Sequence, residues 1–344
     1  MFIGSDPLIQ YSDSRGISFI EEADINGVVQ ARVAFSDNKQ TLDTTSGKIH
    51  GLLQARDNRL GTLLSDLDSW TQSLILEVNQ HHSLGQSQQG YAAITSFFAV
   101  DDPAAALPDA AASGLPWAVN NGVFNLHIYD SDGKVVRSEQ IKVDAGQGAA
   151  DTSLNALVAQ INAQAPEVIA SVDTSNRLHI QTASSAFTFG FSGPTNSADA
   201  TNVLAVLGVN TYFQGSSGVD ITVRQGLDEA HVVAGADGQP TNGGIAGQIA
   251  QLSSSGVDSL NGLSLTGHFT AMIGRLATDS KAAQDNYVAS DIVVQTLENE
   301  RQSVSGVSLD EEAVNLMVFQ RVLQGSSRYI GIIDQMMDEI LSLV

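Results

Sequence analysis

Ser308-Leu-Asp-Glu-Glu-Ala-Val-Asn-Leu316 opens a stretch that continues as Met-Val-Phe319-Gln-Arg-Val-Leu323-Gln-Gly-Ser-Ser-Arg-Tyr-Ile330-Gly-Ile-Ile333-Asp-Gln-Met-Met337-Asp-Glu-Ile340-Leu-Ser-Leu-Val344. Leu309, Leu316, Leu323, Ile330, Met337 and Val344 fall seven residues apart. Phe319, Ile333 and Ile340 occupy the position three later, which Glu312 and Ser326 interrupt. A seven-residue apolar repeat keeps one face of a helix turned toward a partner helix. Ser308 and Glu311 form a capping box: the Ser308 hydroxyl can accept from the Glu311 amide while the Glu311 side chain reaches back. Asp310, Glu311 and Glu312 add negative charge at the positive end of the helix dipole. Val322, Tyr329, Met336, Leu341 and Leu343 widen the apolar stripe. No complementary seam of similar width stands out elsewhere in the sequence.

Working back from this tail, residues 259–303 also read as helix. Phe269, Ile273, Leu276, Ala283, Tyr287, Val294 and Leu297 recur at threes and fours, and from Gly267 to Gln302 there is no proline. Residues 46–85 carry the same period, in Ile49, Leu53, Leu60, Leu64, Leu67, Trp70, Leu74 and Val78, with fraying expected at Gly61.

The region 86–258 has a different grain. Val123–Tyr129 and Lys134–Val143 alternate around Asp130-Ser-Asp-Gly133, a strong hairpin signal. A short helix over 151–162 follows, with Asp151 or Thr152 as candidate N-cap. A second hairpin joins 168–172 to 178–182. A strand over 187–191 and a helix over 198–207 complete the set. Residues 1–45 read as short strands, chiefly 28–35. The expected fold class is therefore α+β and multidomain: a short β segment (1–45), a long helix (46–85), a β-rich outer domain (86–258), a second long helix (259–303) and a terminal assembly helix (304–344). The outer domain divides into two subdomains near 215–218, and it is expected to fold without either helical end.

Composition narrows the function. The 344 residues hold 16 Lys+Arg against 38 Asp+Glu, a net charge of −22, and between Lys142 and Arg224 the only basic residue is Arg177. Such a chain offers no basic patch for nucleic acid or an anionic membrane. There is no cysteine, which excludes disulfides, thiolate metal sites and cysteine nucleophiles. No apolar run reaches the length of a membrane-spanning helix. The first residues lack the basic flank and apolar core of a signal peptide. The templates G-x-x-x-x-G-K-[ST], G-x-G-x-x-G, G-x-S-x-G and H-E-x-x-H are all absent. His81 and His82 point about 100° apart on a helix and read as a polar helix end. Glu21-Glu22-Ala-Asp24 and Asp101-Asp102 read as solvated turns. No catalytic residue, cofactor or metal ligand is nominated.

The tail resembles a known family. Ser305-Gly-Val-Ser-Leu-Asp-Glu-Glu-Ala-Val-Asn-Leu316, then Phe319-Gln320, Ser326-Ser-Arg328 and Ile333-Asp-Gln-Met-Met-Asp338, are similar to the C-terminus of the bacterial flagellar hook-associated proteins of the first kind. Gly47-Lys-Ile-His-Gly-Leu-Leu-Gln-Ala-Arg-Asp-Asn58 resembles the family's central helix, and 154–207 resembles a repeat of its outer domains. The resemblance implies a structural adaptor at the hook–filament junction that works by helix-mediated assembly. Leu309, Leu316, Phe319, Leu323, Ile330, Ile333, Met337, Ile340 and Val344 would form its interface. It implies a homo-oligomeric ring, the hook protein and the second hook-associated protein as partners, an export chaperone, and export to the flagellum outside the cell without a cleavable signal peptide. Family members begin with a helical arm that pairs with the C-terminal helix. This sequence opens in what looks like the family's first β segment, so the arm is expected outside these residues. Two alternatives remain: another axial protein of the hook, rod or flagellin type, and a secreted adhesin or enzyme with its site in 86–258.

Overall fold

Apolar residues that alternate along this chain pair into hairpins, and those that recur at threes and fours coil into helices. The computed structural model describes all residues except 1, 4–5, 11–12, 24–28, 43–46, 147–150, 197–198, 237–241, 306–308 and 343–344. It opens with four two-residue strands, β1 (Phe2–Ile3), β2 (Asp6–Pro7), β3 (Ile9–Gln10) and β4 (Asp13–Ser14), paired β1 to β2 and β3 to β4. The hairpin β5 (Ile17–Ala23) and β6 (Val29–Phe35) follows. The long helix is continuous but not uniform. It runs as α1 (Gly47–Gln54), a π-helical turn (Ala55–Leu60) and α2 (Gly61–Ser83). The irregularity expected at Gly61 thus falls just before it, and Gly61 itself is helical.

Next come β7 (Ala93–Thr95), α3 (Ala110–Ser113), β8 (Gly122–Tyr129), β9 (Val135–Val143), α4 (Leu154–Gln164), β10 (Val168–Val172), β11 (Leu178–Thr182), β12 (Thr188–Ser192), α5 (Val203–Leu207), β13 (Phe213–Gln214), β14 (Thr222–Val223) and α6 (Gly244–Gln251). The strands form antiparallel sheets of order β10-β11-β7 and β12-β8-β9, with β13 paired to β14. Two helices end the chain, α7 (Leu265–Ser305) and α8 (Leu309–Ser342).

The turn between β8 and β9 shows how sequence sets register. Asp130 Oδ1 accepts the amides of Asp132 (3.0 Å) and Lys134 (2.9 Å), and Gly133 supplies the left-handed residue at φ 75°. With the turn set, Phe124, Leu126 and Ile128 all point inward. They meet Ile141 and Val143 of β9, Leu154, Leu157 and Ile161 of α4, and Phe189 and Phe191 of β12. Each such side chain contributes roughly 1.5–3 kcal/mol of burial. A second cluster joins Val78 of α2 to Leu252, Val257, Leu260 and Leu265, flanked by Trp70, Leu74, Tyr212 and Phe213. A third packs Val33, Phe35 and Leu42, with Leu53 of α1 against it.

Polar side chains tie the end of α2 to the segment after α5. Asn79 Oδ1 accepts the amides of Tyr212 (3.0 Å) and Phe213 (2.9 Å), and its Nδ2 donates to the Phe213 carbonyl (3.0 Å). Asn210, in the left-handed region at φ 53°, donates from Nδ2 to the carbonyls of His82, Ser83 and Gly85 and accepts from the Tyr91 hydroxyl (2.7 Å). The last turns of α2 are therefore embedded among the residues of the β-rich region. The chain falls into two compact units, 1–273 and 274–344, a division that lies inside α7.

Several local expectations need correction. The cap of α4 is Ser153, whose Oγ accepts the Ala156 amide (3.2 Å); Thr152 Oγ1 is held instead by the Asp144 amide (2.9 Å), which keeps Thr152 outside the helix. Of the helix expected over 198–207, the described residues coil as α-helix only in α5. Ala200 bridges Val123, and the Asn202 side chain accepts the Asn120 amide, so this stretch runs along β8 before it coils. Glu21 and Glu22 are exposed residues of β5, opposite Ala31 and Gln30, and Asp24 lies outside the described residues. Asp102 does cap a turn, accepting the Ala104 amide at 2.8 Å. His82 is no solvated helix end: it is 1% exposed.

Candidate assembly surface

α8 spans 34 residues, roughly 50 Å at 1.5 Å per residue. Its first turn carries Asp310, Glu311 and Glu312, as the dipole favours. Ser308, and with it the expected capping box, lies outside the described residues, as does Val344. Every described side chain of α8 is exposed. Leu309 is 85% exposed, Phe319 71% and Leu323 68%; Leu316, Ile330, Ile333, Met337 and Ile340 are exposed too. The structure thus aligns the expected seam residues along one helix and leaves them bare. Water-facing residues of this kind contribute nothing to the stability of the isolated chain by burial. They represent apolar area that contact with another helix would remove from water.

α7 holds a second seam that reading by threes and fours did not resolve. Phe269, Leu276, Ala283, Ser290, Leu297 and Val304 fall seven apart, with Ile273, Tyr287 and Val294 four residues after three of them. The seven-residue spacing was the signal to look for, and the polar Ser290 and small Ala283 obscure it. Phe269 packs on Trp70, their ring centroids 5.5 Å apart, and Trp70 Nε1 donates to the Leu265 carbonyl (2.9 Å). From Ile273 onward every described residue of α7 is exposed.

The first long helix changes character along its length. Ile49, Leu52, Leu60, Leu64 and Leu67 are exposed, whereas Ile75 and Val78 are buried. The helix therefore has a bare half and an embedded half. The embedded half ends at His82. Its Nδ1 meets the Asn210 carbonyl (2.7 Å) and the Val233 amide donates to its Nε2 (3.1 Å), so the ring is neutral with the proton on Nδ1. Burial holds its pKa down at about 4; the charge of Arg224 acts in the same direction, against the opposing bond to Asn210.

Chemistry-bearing groups elsewhere do not converge. Among the described residues no three of His, Asp and Glu are placed to hold a metal ion. His127 Nε2 meets Ser192 Oγ at 2.8 Å, but Ser192 is buried and His127 Nδ1 has no acid to orient it. Glu77 and His81 share a cavity of about 430 Å³ beside α6. Burial raises the Glu77 pKa, helped by the negative charge of Asp258, and burial lowers that of His81. Among the described residues, no helix is long and apolar enough to cross a membrane.

Comparison with known families addresses both ends of the chain. Residues 1–98 match the helical domain of the flagellar hook-associated protein FlgK. Residues 299–343 match the C-terminal domain of the flagellar basal body rod proteins FlgEFG. Both ends of the chain are thus similar to flagellar axial proteins, the N-terminal part to a hook-associated one. Among curated proteins none matches it. A solved structure of the D2–D3 domains of the flagellar cap protein from Serratia marcescens shows 17% identity over 41% of this chain and 81% of that one, with a TM-score of 0.20, too low to argue from.

These matches make the chain a structural component of the flagellar axis, with the non-enzymatic role those families imply. It belongs to the flagellum and assembles with axial proteins. The bare half of the first long helix lies within the matched 1–98, and the α8 seam within the matched 299–343. The main packed β core lies largely between the two matches.

Proposed function

We propose that this protein is a hook-associated protein, the adaptor at the hook–filament junction, and acts by helix-mediated self-assembly, without catalysis, cofactor or metal. Leu309, Leu316, Phe319, Leu323, Ile330, Ile333, Met337 and Ile340, with Val344 at the end, bury their seam against helices of neighbouring subunits. The product is a ring of identical copies, with the hook protein on one side and the second hook-associated protein on the other. The chain reaches the outside of the cell with the help of an export chaperone and without a cleavable signal. The β-rich region projects an acidic, solvated surface. The division into 1–45, 46–85, 86–258, 259–303 and 304–344 follows from the same reading.

The observation that carries this proposal is the complete exposure of the seam on α8, inside a tail of axial-protein type. Burying Leu, Ile, Phe and Met between helices stabilises by roughly 1.5–3 kcal/mol per fully buried side chain, so a seam of this length suffices for stable association. Introducing a charge into such an interface costs several kcal/mol in the assembly and next to nothing in the free chain. Leu323→Asp combined with Ile330→Asp is therefore expected to abolish incorporation at the junction, seen by labelling isolated flagella, while the melting midpoint of the dilute chain stays that of the parent. Normal incorporation of the double variant refutes the seam as interface. Label spread along hook or filament refutes the junction assignment and leaves another axial position.

A further inference from the structure

A cavity of about 360 Å³ opens beside β7 and β13, lined by Tyr91, Thr95, Gln214, Arg224, Gln225 and His231, among others. Its volume falls within the range of small-molecule sites. Arg224 is half-buried at this cavity, unlike Arg321 and Arg328 on the exposed α8, which also hold no carboxylate among the described residues. The Arg224 guanidinium donates from Nη2 to the Tyr91 hydroxyl (3.1 Å) and lies 5.8 Å from the centroid of the same ring. Among the described residues no carboxylate pairs with it, whereas Arg15, Arg137 and Arg177 each hold one. A bare guanidinium in a chain of net charge −22 is not explained by a shortage of acids.

The group is also held in place. Tyr91 donates its hydroxyl to Asn210 Oδ1 (2.7 Å), and Asn210 is anchored in turn by three backbone carbonyls at the end of α2. The His231 ring stacks on Tyr91, their centroids 5.0 Å apart, and Asp228 holds its Nδ1. Nε2 of His231 has no protein partner among the described residues. The fork of Arg224 is thus pre-organised and unneutralised, which is the arrangement that recognises a planar oxyanion by two parallel hydrogen bonds.

We infer that this cavity binds a small hydroxylated carboxylate. The guanidinium takes the carboxylate, the amides of Gln214 and Gln225 take hydroxyl groups, and the stacked rings of Tyr91 and His231 supply an apolar wall. Asp228 beside His231 disfavours a second negative charge, so the site selects a carboxylate over a phosphate. The inference stands apart from the junction role, since it uses neither α7 beyond its start nor α8.

The test is a titration of the full chain, followed by NMR at constant ionic strength, with D-glucuronate, D-glucose and inorganic phosphate. Saturable shifts at Tyr91, Arg224 and His231 are expected with glucuronate, none with glucose, and weaker binding with phosphate. Arg224→Gln is expected to lower the glucuronate affinity at least tenfold. Arg224→Lys keeps the charge and loses the fork, so a smaller but clear loss is expected; it decides the matter if the glutamine variant does not fold. No saturation with glucuronate at tens of millimolar, undiminished binding by both variants, or tighter binding of phosphate each overturns the proposal.

Discussion

His82 shows how a single side chain converts burial into pH sensitivity. Its ring is neutral because one nitrogen must donate to Asn210 and the other must accept from Val233. Protonation would place two hydrogen atoms against each other at Nε2 and put a charge in a buried site. The folded pKa of about 4 lies below the unfolded value of 6.5, so between these values the unfolded chain binds the extra proton. Stability is full above pH 6.5, falls as pH drops through this window, and levels off below pH 4. The loss is at most about 3.5 kcal/mol, since each pH step of one between the two values removes about 1.4 kcal/mol. His127 and His81, also lowered by burial, act in the same direction. In denaturant titrations from pH 7 to 4.5, the advantage of the parent over His82→Gln is expected to shrink steadily with acid. A gap that stays constant across the range would mean that the ring does not titrate in the way its contacts require.

Among the elements, α8 is the one whose stability is least accounted for by packing. A helix of this length with every described side chain exposed depends on backbone hydrogen bonds and propensity alone, and such helices are marginal in water. Gly325 and Gly331 lie within it, each costing about 1 kcal/mol relative to alanine. α4, by contrast, buries Leu154, Leu157 and Ile161 completely. Hydrogen exchange of the dilute chain is therefore expected to be fast throughout 309–342 and slow in α4 and β8, with protection of α8 rising as protein concentration is raised. Strong protection of α8 at every concentration would show that the seam is already covered within one chain.

At the scale of the whole molecule, the question is where the β-rich part ends. Hairpins and short helices with their own apolar faces make 86–258 read as self-sufficient. The structure routes its polar framework through α2: Asn79 serves the amides of Tyr212 and Phe213, and Asn210 serves the carbonyls of His82, Ser83 and Gly85. Cutting at 86 removes Ile75, Val78, Asn79 and His82 together, and each buried polar group left without a partner costs about 1–3 kcal/mol. A fragment of 66–273 is expected to give a dispersed NMR spectrum and a cooperative melt. A fragment of 86–258 is expected to melt far lower or not cooperatively. Equal melting of the two fragments would show that the α2 contacts are dispensable.

The sequence by itself determined the features whose causes are local. The Asp130–Gly133 turn, the alternation of Phe124, Leu126 and Ile128, and the seven-residue repeat of Leu309 to Ile340 are legible because turn chemistry and side-chain period act over a few residues. The tail motif around Leu309–Leu316 was legible for the same reason, being contiguous. Only the tertiary structure decided that His82 is buried, that Asn210 organises the end of α2, that α5 starts at Val203, and that Arg224 has no carboxylate partner among the described residues. His82 and Asn210 are 128 residues apart in sequence, and Arg224 and Tyr91 are 133 apart. Such pairs meet only after the sheets and α2 have packed. A polar residue carries no mark in its neighbours that says whether folding will leave it in water or hand it a distant partner.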